Sequence, residues 1–161
     1  MISPETLRRY PHFAGLKDDC LKTLASISDE VSFAKGETLF EESGDIKASG
    51  HIYDKGEPAP YLMLLASGNV DIINTFGSGK EVTVGSLVAG DLMAISALIP
   101  PYHLTATGIA RSDGAYLRFN AERLRSLCDE VPELGHRLML AVANAAMNRL
   151  SATRIQLAAM S

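Results

Sequence analysis

Apolar positions change their period twice along this chain, and the changes divide it into three parts. Ser3-Pro4-Glu5 ahead of Leu7 reads as a cap, a proline in the first turn and an early acid, so a helix opens there and Pro11 ends it. Leu21, Leu24, Ala25 and Ile27 give one buried face to a second helix over about 17–27. From Val31 the texture becomes short runs of Val, Ile, Leu, Thr and Tyr divided by Gly, Asn, Asp and Ser. The predicted strands are 31–34, 38–42, 50–53, 61–66, 70–75, 81–87, 105–110 and 115–119. Short strands at this spacing predict an antiparallel barrel or sandwich, not alternating βαβ units. Phe76-Gly77-Ser78-Gly79-Lys80 is the clearest hairpin turn, with glycines for the positive φ that tight connections need.

One segment inside the strand region differs. Residues 92–99 carry no turn chemistry and stop at Pro100-Pro101, which predicts about two helical turns entered through Gly90-Asp91. Free N–H groups at such an entry favour an anion. A plain connecting helix accounts for the same residues.

The third part is helical. Asn120 can cap a helix to about Cys128, and Pro132-Glu133 opens a long one. Residues 134–161 would extend roughly 42 Å if continuous, and a domain of this length has a radius of gyration of only about 15 Å. Leu134, Leu138, Ala141, Ala145, Asn148, Ala152, Ile155 and Ala159 follow a 4-3-4-3 spacing. Leu140, Ala143, Met147, Leu150, Arg154 and Leu157 form a second series about 100° around the axis. One wide face laid on the barrel would explain both. Two seams also suit two partners, the barrel and the same helix of a second copy, with Asn148 fixing the register of the first seam. The expected dimer helix uses Leu134, Leu138, Ala141, Ala145, Asn148, Ala152 and Ile155. Arg137, Arg149 and Arg154 read as solvated edges or contacts to an acidic barrel.

Composition narrows the function classes. The 161 residues suit one domain, and 47% hydrophobic against 21% charged residues is a globular balance. A net charge of −4 argues against a nucleic-acid surface. No secretory signal opens the chain, and no apolar run is long enough to span a bilayer. Cys20 and Cys128 form neither a disulfide framework nor a metal knuckle, so reduced cytoplasmic thiols are expected. Asp18 and Asp19 should raise the Cys20 pKa, and Cys128 reads as a small buried apolar residue.

The order of elements resembles the cyclic-nucleotide-binding domain of catabolite-activator-type (Crp/Fnr-like) regulators. Phe13-Ala14-Gly15-Leu16 with Leu21 and Leu24 is similar to the family's opening helix, and Phe33-Ala34-Lys35-Gly36-Glu37-Thr38-Leu39 to its strand pair and glycine turn. The most diagnostic stretch is Lys55-Gly56-Glu57-Pro58-Ala59 followed by Tyr61-Leu62-Met63-Leu64-Leu65-Ala66-Ser67-Gly68-Asn69-Val70. Leu87-Val88-Ala89-Gly90-Asp91 and Thr105-Ala106-Thr107 fit the borders of the family's phosphate-binding cassette. About a dozen extra residues lie between Leu39 and Lys55, where the Gly44-Asp45 and Gly56-Glu57 turns compete for one family position.

In the cassette the resemblance implies a glutamate on the ribose hydroxyl, an arginine on the cyclic phosphate and a glycine before the glutamate. Laid without gaps, these fall on Ile95, Leu104 and Ala94. The cassette positions are Gly90, Met93, Ala94, Ile95, Ser96, His103, Leu104, Thr105 and Ala106. Backbone amides and a helix dipole contribute roughly 0.3–1 kcal/mol to an anion, whereas each lost charge-assisted bond was worth roughly 1.5–3 kcal/mol. The site is therefore degenerate, and cAMP or cGMP is disfavoured as a ligand. His103, one position before the arginine slot, could lend a partial charge if the loop shifts. Regulators of this type continue into a helix-turn-helix domain where this chain reaches Ser161, so no recognition helix is expected.

Catalytic constellations are weak. His12, His51, His103 and His136 are widely spaced, Gly79-Lys80 is followed by Glu81 rather than Ser or Thr, and no Gly-x-Ser-x-Gly elbow occurs. The sequence predicts one domain over 1–161, mainly β with flanking helices. N-terminal helices (1–28) precede a double-stranded β-helix, or jelly-roll, barrel (29–119) holding a short internal helix, and C-terminal helices (120–161) follow. Its expected role is a non-enzymatic, cytoplasmic sensor-type domain that acts as a homodimer or on a protein partner, without metal, nucleic acid or membrane. The alternatives are a cyclic-nucleotide module with altered ligand chemistry and a small barrel enzyme.

Overall fold

The computed structural model describes residues 2–42, 58–76 and 79–160. Strand 50–53, the Lys55-Gly56-Glu57 part of the diagnostic stretch, His51 and the tip of the 76–80 hairpin lie outside them. Two short helices open the chain, α1 (Pro4–Arg8) and α2 (Asp18–Ser26). Ser3 caps α1 by accepting from the Thr6 amide, and Pro4 occupies the first turn where its missing N–H costs nothing. Leu21 and Leu24 of α2 are fully buried.

Eight strands follow: β1 (Ser28–Phe33), β2 (Thr38–Phe40), β3 (Tyr61–Ser67), β4 (Val70–Thr75), β5 (Glu81–Leu87), β6 (Leu92–Met93), β7 (Thr107–Ala110) and β8 (Gly114–Asn120). They form two four-stranded antiparallel sheets, β1-β8-β3-β6 and β2-β7-β4-β5, the jelly-roll arrangement that the sequence predicts. Register carries the core: Leu62 faces Phe119 and Leu64 faces Leu117, all four fully buried. On the second sheet Val82 and Val84 point inward while their neighbours alternate outward.

The expected two-turn helix at 92–99 is not formed. Leu92 and Met93 instead pair with Leu64 and Met63 as β6, and the helical part is a single 3-10 turn, Ile95–Leu98. An eight-residue apolar run reads alike for a buried strand end and a buried helix, and the free edge of β3 decides between them. The strand predicted at 105–110 starts two residues later, at Thr107.

Asn120 caps α3 (Ala121–Glu130) by accepting from the Arg123 amide at 2.9 Å, and Pro132 opens α4 (Pro132–Ala159), 28 residues long. Gly135 permits the close α3–α4 approach: a Cβ there would stand 3.0 Å from the Cys128 carbonyl oxygen. Leu134, Leu138 and Val142 bury into the same core as α2 and the barrel, and α4 runs along β5 and α3.

That placement corrects the assignment of the seams. Leu134 and Leu138 are fully buried within the chain and cannot meet a second copy, whereas Ala141, Ala145 and Ala152 are half-buried. Asn148 and Ile155, at the far end of the same series, are exposed. The second series carries most of the exposed large apolar side chains of α4, with Leu140, Met147, Leu150 and Leu157 exposed by 43–65%. No helix among the described residues is long and apolar enough to cross a membrane.

Candidate functional site

The cassette runs from the end of β5 to the start of β7. Gly90 turns the chain at φ 97°, and the Asp91 carboxylate accepts from the Val88 amide at 2.9 Å to close the turn. Leu65 of β3 fastens both sides: its carbonyl accepts from the Gly90 amide at 2.7 Å and its amide donates to the Asp91 carbonyl at 2.9 Å. His12 Nε2 donates to the Gly90 carbonyl at 3.0 Å, which ties the N-terminal segment to the same turn.

Ala94 then adopts φ 55° and ψ 38°, a left-handed conformation that an alanine seldom takes. The resemblance puts a glycine here, and Ala94 adopts a conformation that favours glycine. The 3-10 turn follows, and the loop at Tyr102 is pinned by the Ala59 amide, which donates to the Tyr102 carbonyl at 2.7 Å. Arg125 of α3 braces the whole segment, donating to the Ala97 carbonyl at 2.8 Å and covering the Tyr102 ring at 4.0 Å.

Four of the expected cassette residues come together. Ile95, Ser96, His103 and Thr105 line one cavity of about 400 Å³, closed on its other side by Arg149, Leu150 and Thr153 of α4. The remaining ones do not reach it. Met93, Ala94, Leu104 and Ala106 are buried in the barrel core, and Gly90 borders a separate groove of about 620 Å³ between β5 and α4. Ile95 and Leu104, the residues on which the ungapped resemblance lays the family's glutamate and arginine, are each 4% exposed and belong to the core.

Arg149, which the sequence reads as a solvated edge or a contact to an acidic barrel, is a wall of this cavity. It is half-buried, borders both the cavity and the groove, and donates from Nη1 to the Thr105 hydroxyl at 3.4 Å. Burial holds its guanidinium below the usual arginine pKa. The sequence gives one signal for it: Arg149 lies four residues after Ala145 and seven after Val142, on the face α4 turns toward the barrel. Its neighbours behave otherwise. Arg137 holds the Ala14 carbonyl and pairs with Glu133, and Arg154 is exposed.

Both cysteines are free. Burial, with Glu133 rather than Asp18 or Asp19 adding to it, raises the Cys20 pKa. Burial and then Asp129 push Cys128 up to about 11, although its side chain is only half-buried. Among the described residues no group of three His, Cys, Asp or Glu side chains could hold a metal ion.

Comparison with known proteins places this geometry. No curated protein matches the chain. Among solved structures, a Geobacter metallireducens protein described as cyclic-nucleotide-binding is 37% identical over 93% of this chain and 99% of its own, with a TM-score of 0.72. The Thermus thermophilus catabolite activator protein shares the fold at 23% identity and a TM-score of 0.65, covering 93% of this chain and 62% of that one. A Trypanosoma brucei regulatory subunit of a cAMP-independent protein kinase A, in a triply substituted form bound to cAMP, shares it at 18% identity and a TM-score of 0.69. That match covers 94% of this chain and 49% of the subunit. The profile of the cyclic nucleotide-binding domain matches residues 44–131, more than half of the sequence. With jelly roll, cassette and long helix in the expected order, this chain belongs to the cyclic nucleotide-binding domain family.

Proposed function

We propose that this chain is a non-enzymatic regulatory sensor domain that does not hold cyclic nucleotides in the family's manner and that acts by dimerising through α4. The carrying observation is the burial of Ile95 and Leu104 in the barrel core at the two positions where a sugar hydroxyl and a phosphate would need polar partners. A phosphate brought there would lose its hydration with no countercharge from the cassette, a cost of several kcal/mol. The kinase subunit from Trypanosoma brucei offers a parallel. It is described as cAMP-independent, and its cAMP-bound form carries three substitutions, one of them threonine to arginine.

Signalling would run through the contacts around the cavity. A ligand between the 3-10 turn and α4 would shift Ala97 and Tyr102, and Arg125 would pass that shift to α3 and so to α4. The exposed stripe of Leu140, Met147, Leu150 and Leu157 supports a second copy as the partner that reads the motion.

A cyclic-nucleotide module with altered chemistry is the second reading. Arg149 favours it by bringing one cation to the cavity, but it supplies no partner for a ribose. The experiment that separates the two is a reversion. A folded Ile95→Glu, Leu104→Arg double variant should gain cAMP or cGMP binding in calorimetric titration. A folded double variant without any gain would contradict the account of why the site is closed.

A further inference from the structure

We propose that the cavity between the cassette and α4 takes a small amphipathic carboxylic acid, with its carboxylate on the Arg149 guanidinium and its apolar body against Ile95, Ile99 and Leu150. The proposal rests on the preceding reading, that this cavity is not a cyclic-nucleotide site.

The guanidinium is the first reason. Its fork presents five N–H donors. Among the described residues it makes one long hydrogen bond, to the Thr105 hydroxyl at 3.4 Å, and it has no carboxylate within ion-pair distance. A partly desolvated cation left with one weak neutral acceptor is costly. An anion in the cavity would remove that cost. Its neighbours Arg137 and Arg154 do not share the situation, the first being paired and the second exposed.

The walls set the rest of the ligand. Ile95, Ile99, Pro100, Pro101 and Leu150 make most of the lining apolar. Thr105 touches the guanidinium directly. Thr153 stands one turn further along α4, its hydroxyl donating to the Arg149 carbonyl at 2.7 Å. Two hydroxyls thus stand by Arg149, and most of the remaining lining is apolar. The volume, about 400 Å³, falls in the range of small-molecule sites.

Charge selects the head group. Among the described residues of the lining, Arg149 is the one side chain of permanent positive charge and His103 the only other basic group. A monoanion matches this better than a phosphate dianion, and the planar carboxylate fits the guanidinium fork in two parallel bonds. The ligand class is therefore a monocarboxylate with a compact aliphatic or aromatic body.

The test is calorimetric titration of the full chain with butyrate, octanoate, benzoate and phenylacetate, set against octanamide, inorganic phosphate and cAMP. At least one carboxylate should bind with a dissociation constant below about 1 mM, and octanamide should bind about tenfold more weakly than octanoate. Arg149→Gln should weaken the carboxylate by about tenfold or more, while Arg154→Gln, on the exposed side of the same helix, should leave it unchanged. The proposal is overturned if none of the four acids binds, if Arg149→Gln binds them as the parent does, or if phosphate binds as tightly as they do. Should cAMP bind in the micromolar range, the reading of the site as degenerate falls as well. If neither acids nor cAMP bind, this proposal fails and that reading stands.

Discussion

The guanidinium of Arg125 lies 4.0 Å over the Tyr102 ring while its Nη1 donates to the Ala97 carbonyl at 2.8 Å. One α3 side chain thereby grips the cassette at two points on either side of Pro100-Pro101. α3 passes through Val131 directly into α4, so any displacement of the 3-10 turn meets this clamp before it reaches the long helix.

Removing the clamp should cost stability. A charge-assisted bond to a carbonyl and a stacked cation together predict a loss of about 2 kcal/mol for Arg125→Ala in chemical denaturation. Arg125→Lys should recover less than half of it, because an ammonium cannot both stack and reach the carbonyl as a planar fork does. An Arg125→Ala midpoint equal to the parent's would show that the contact carries no load.

Ala94 offers a sharper test of backbone conformation. Replacing it by glycine relieves about 1–2 kcal/mol of left-handed strain. The change also adds about 0.5–1 kcal/mol of unfolded-state entropy and removes a buried methyl worth roughly 0.8 kcal/mol. These terms nearly cancel, so Ala94→Gly should denature within about 0.5 kcal/mol of the parent. Ala94→Val should lose about 2 kcal/mol or more, since a β-branched side chain tolerates φ 55° poorly. A valine variant as stable as the parent would contradict this turn geometry.

What the sequence made legible depended on how local the signal was. β4 and β5 begin and end where the pattern puts them, and the Asn120 cap forms as predicted, because alternation and capping are settled by neighbours along the chain. The two-turn helix at 92–99 failed because β6 exists only through its pairing with Met63 and Leu64. The left-handed Ala94 carried no glycine to announce it. The placement of the cassette's glutamate and arginine on Ile95 and Leu104 was implied by the resemblance, but their burial in the core rests on tertiary packing. The choice between the two seams of α4 was likewise beyond a single sequence, since both series are apolar and only the position of the barrel decides which one it covers. Arg149 was grouped with Arg137 and Arg154 as a solvated edge or barrel contact for the same reason: a charged residue facing inward looks on paper like one facing water.

Dimerisation should respond to the outer stripe and not to the inner one. By light scattering, the parent should have the mass of two chains and Leu150→Glu the mass of one. Leu138→Glu should instead unfold the protein, placing a carboxylate in a fully buried site at a cost of about 4 kcal/mol or more. A Leu150→Glu protein of unchanged dimeric mass would remove the outer stripe from the interface.

The thiols should be slow to react. At pH 8 a thiol titrating near 11 holds about a hundredth of the thiolate of one near 9.0, so alkylation of Cys128 should lag a free thiol by about that factor. The same displacement works on stability. The folded chain keeps the proton that the unfolded chain releases, so stability is unaffected below pH 9 and falls as the pH rises from about 9 toward 11. A Cys128→Ala protein should lose that part of the alkaline decline. Rapid alkylation of Cys128 at pH 8 would contradict the burial argument.

The account turns on whether a cassette with Ile95 and Leu104 where the resemblance lays its glutamate and arginine can hold a cyclic nucleotide. Calorimetric titration of the unaltered protein with cAMP and cGMP decides it. No heat of binding up to about 1 mM nucleotide is the predicted result; a saturable isotherm in the micromolar range for either one would contradict it.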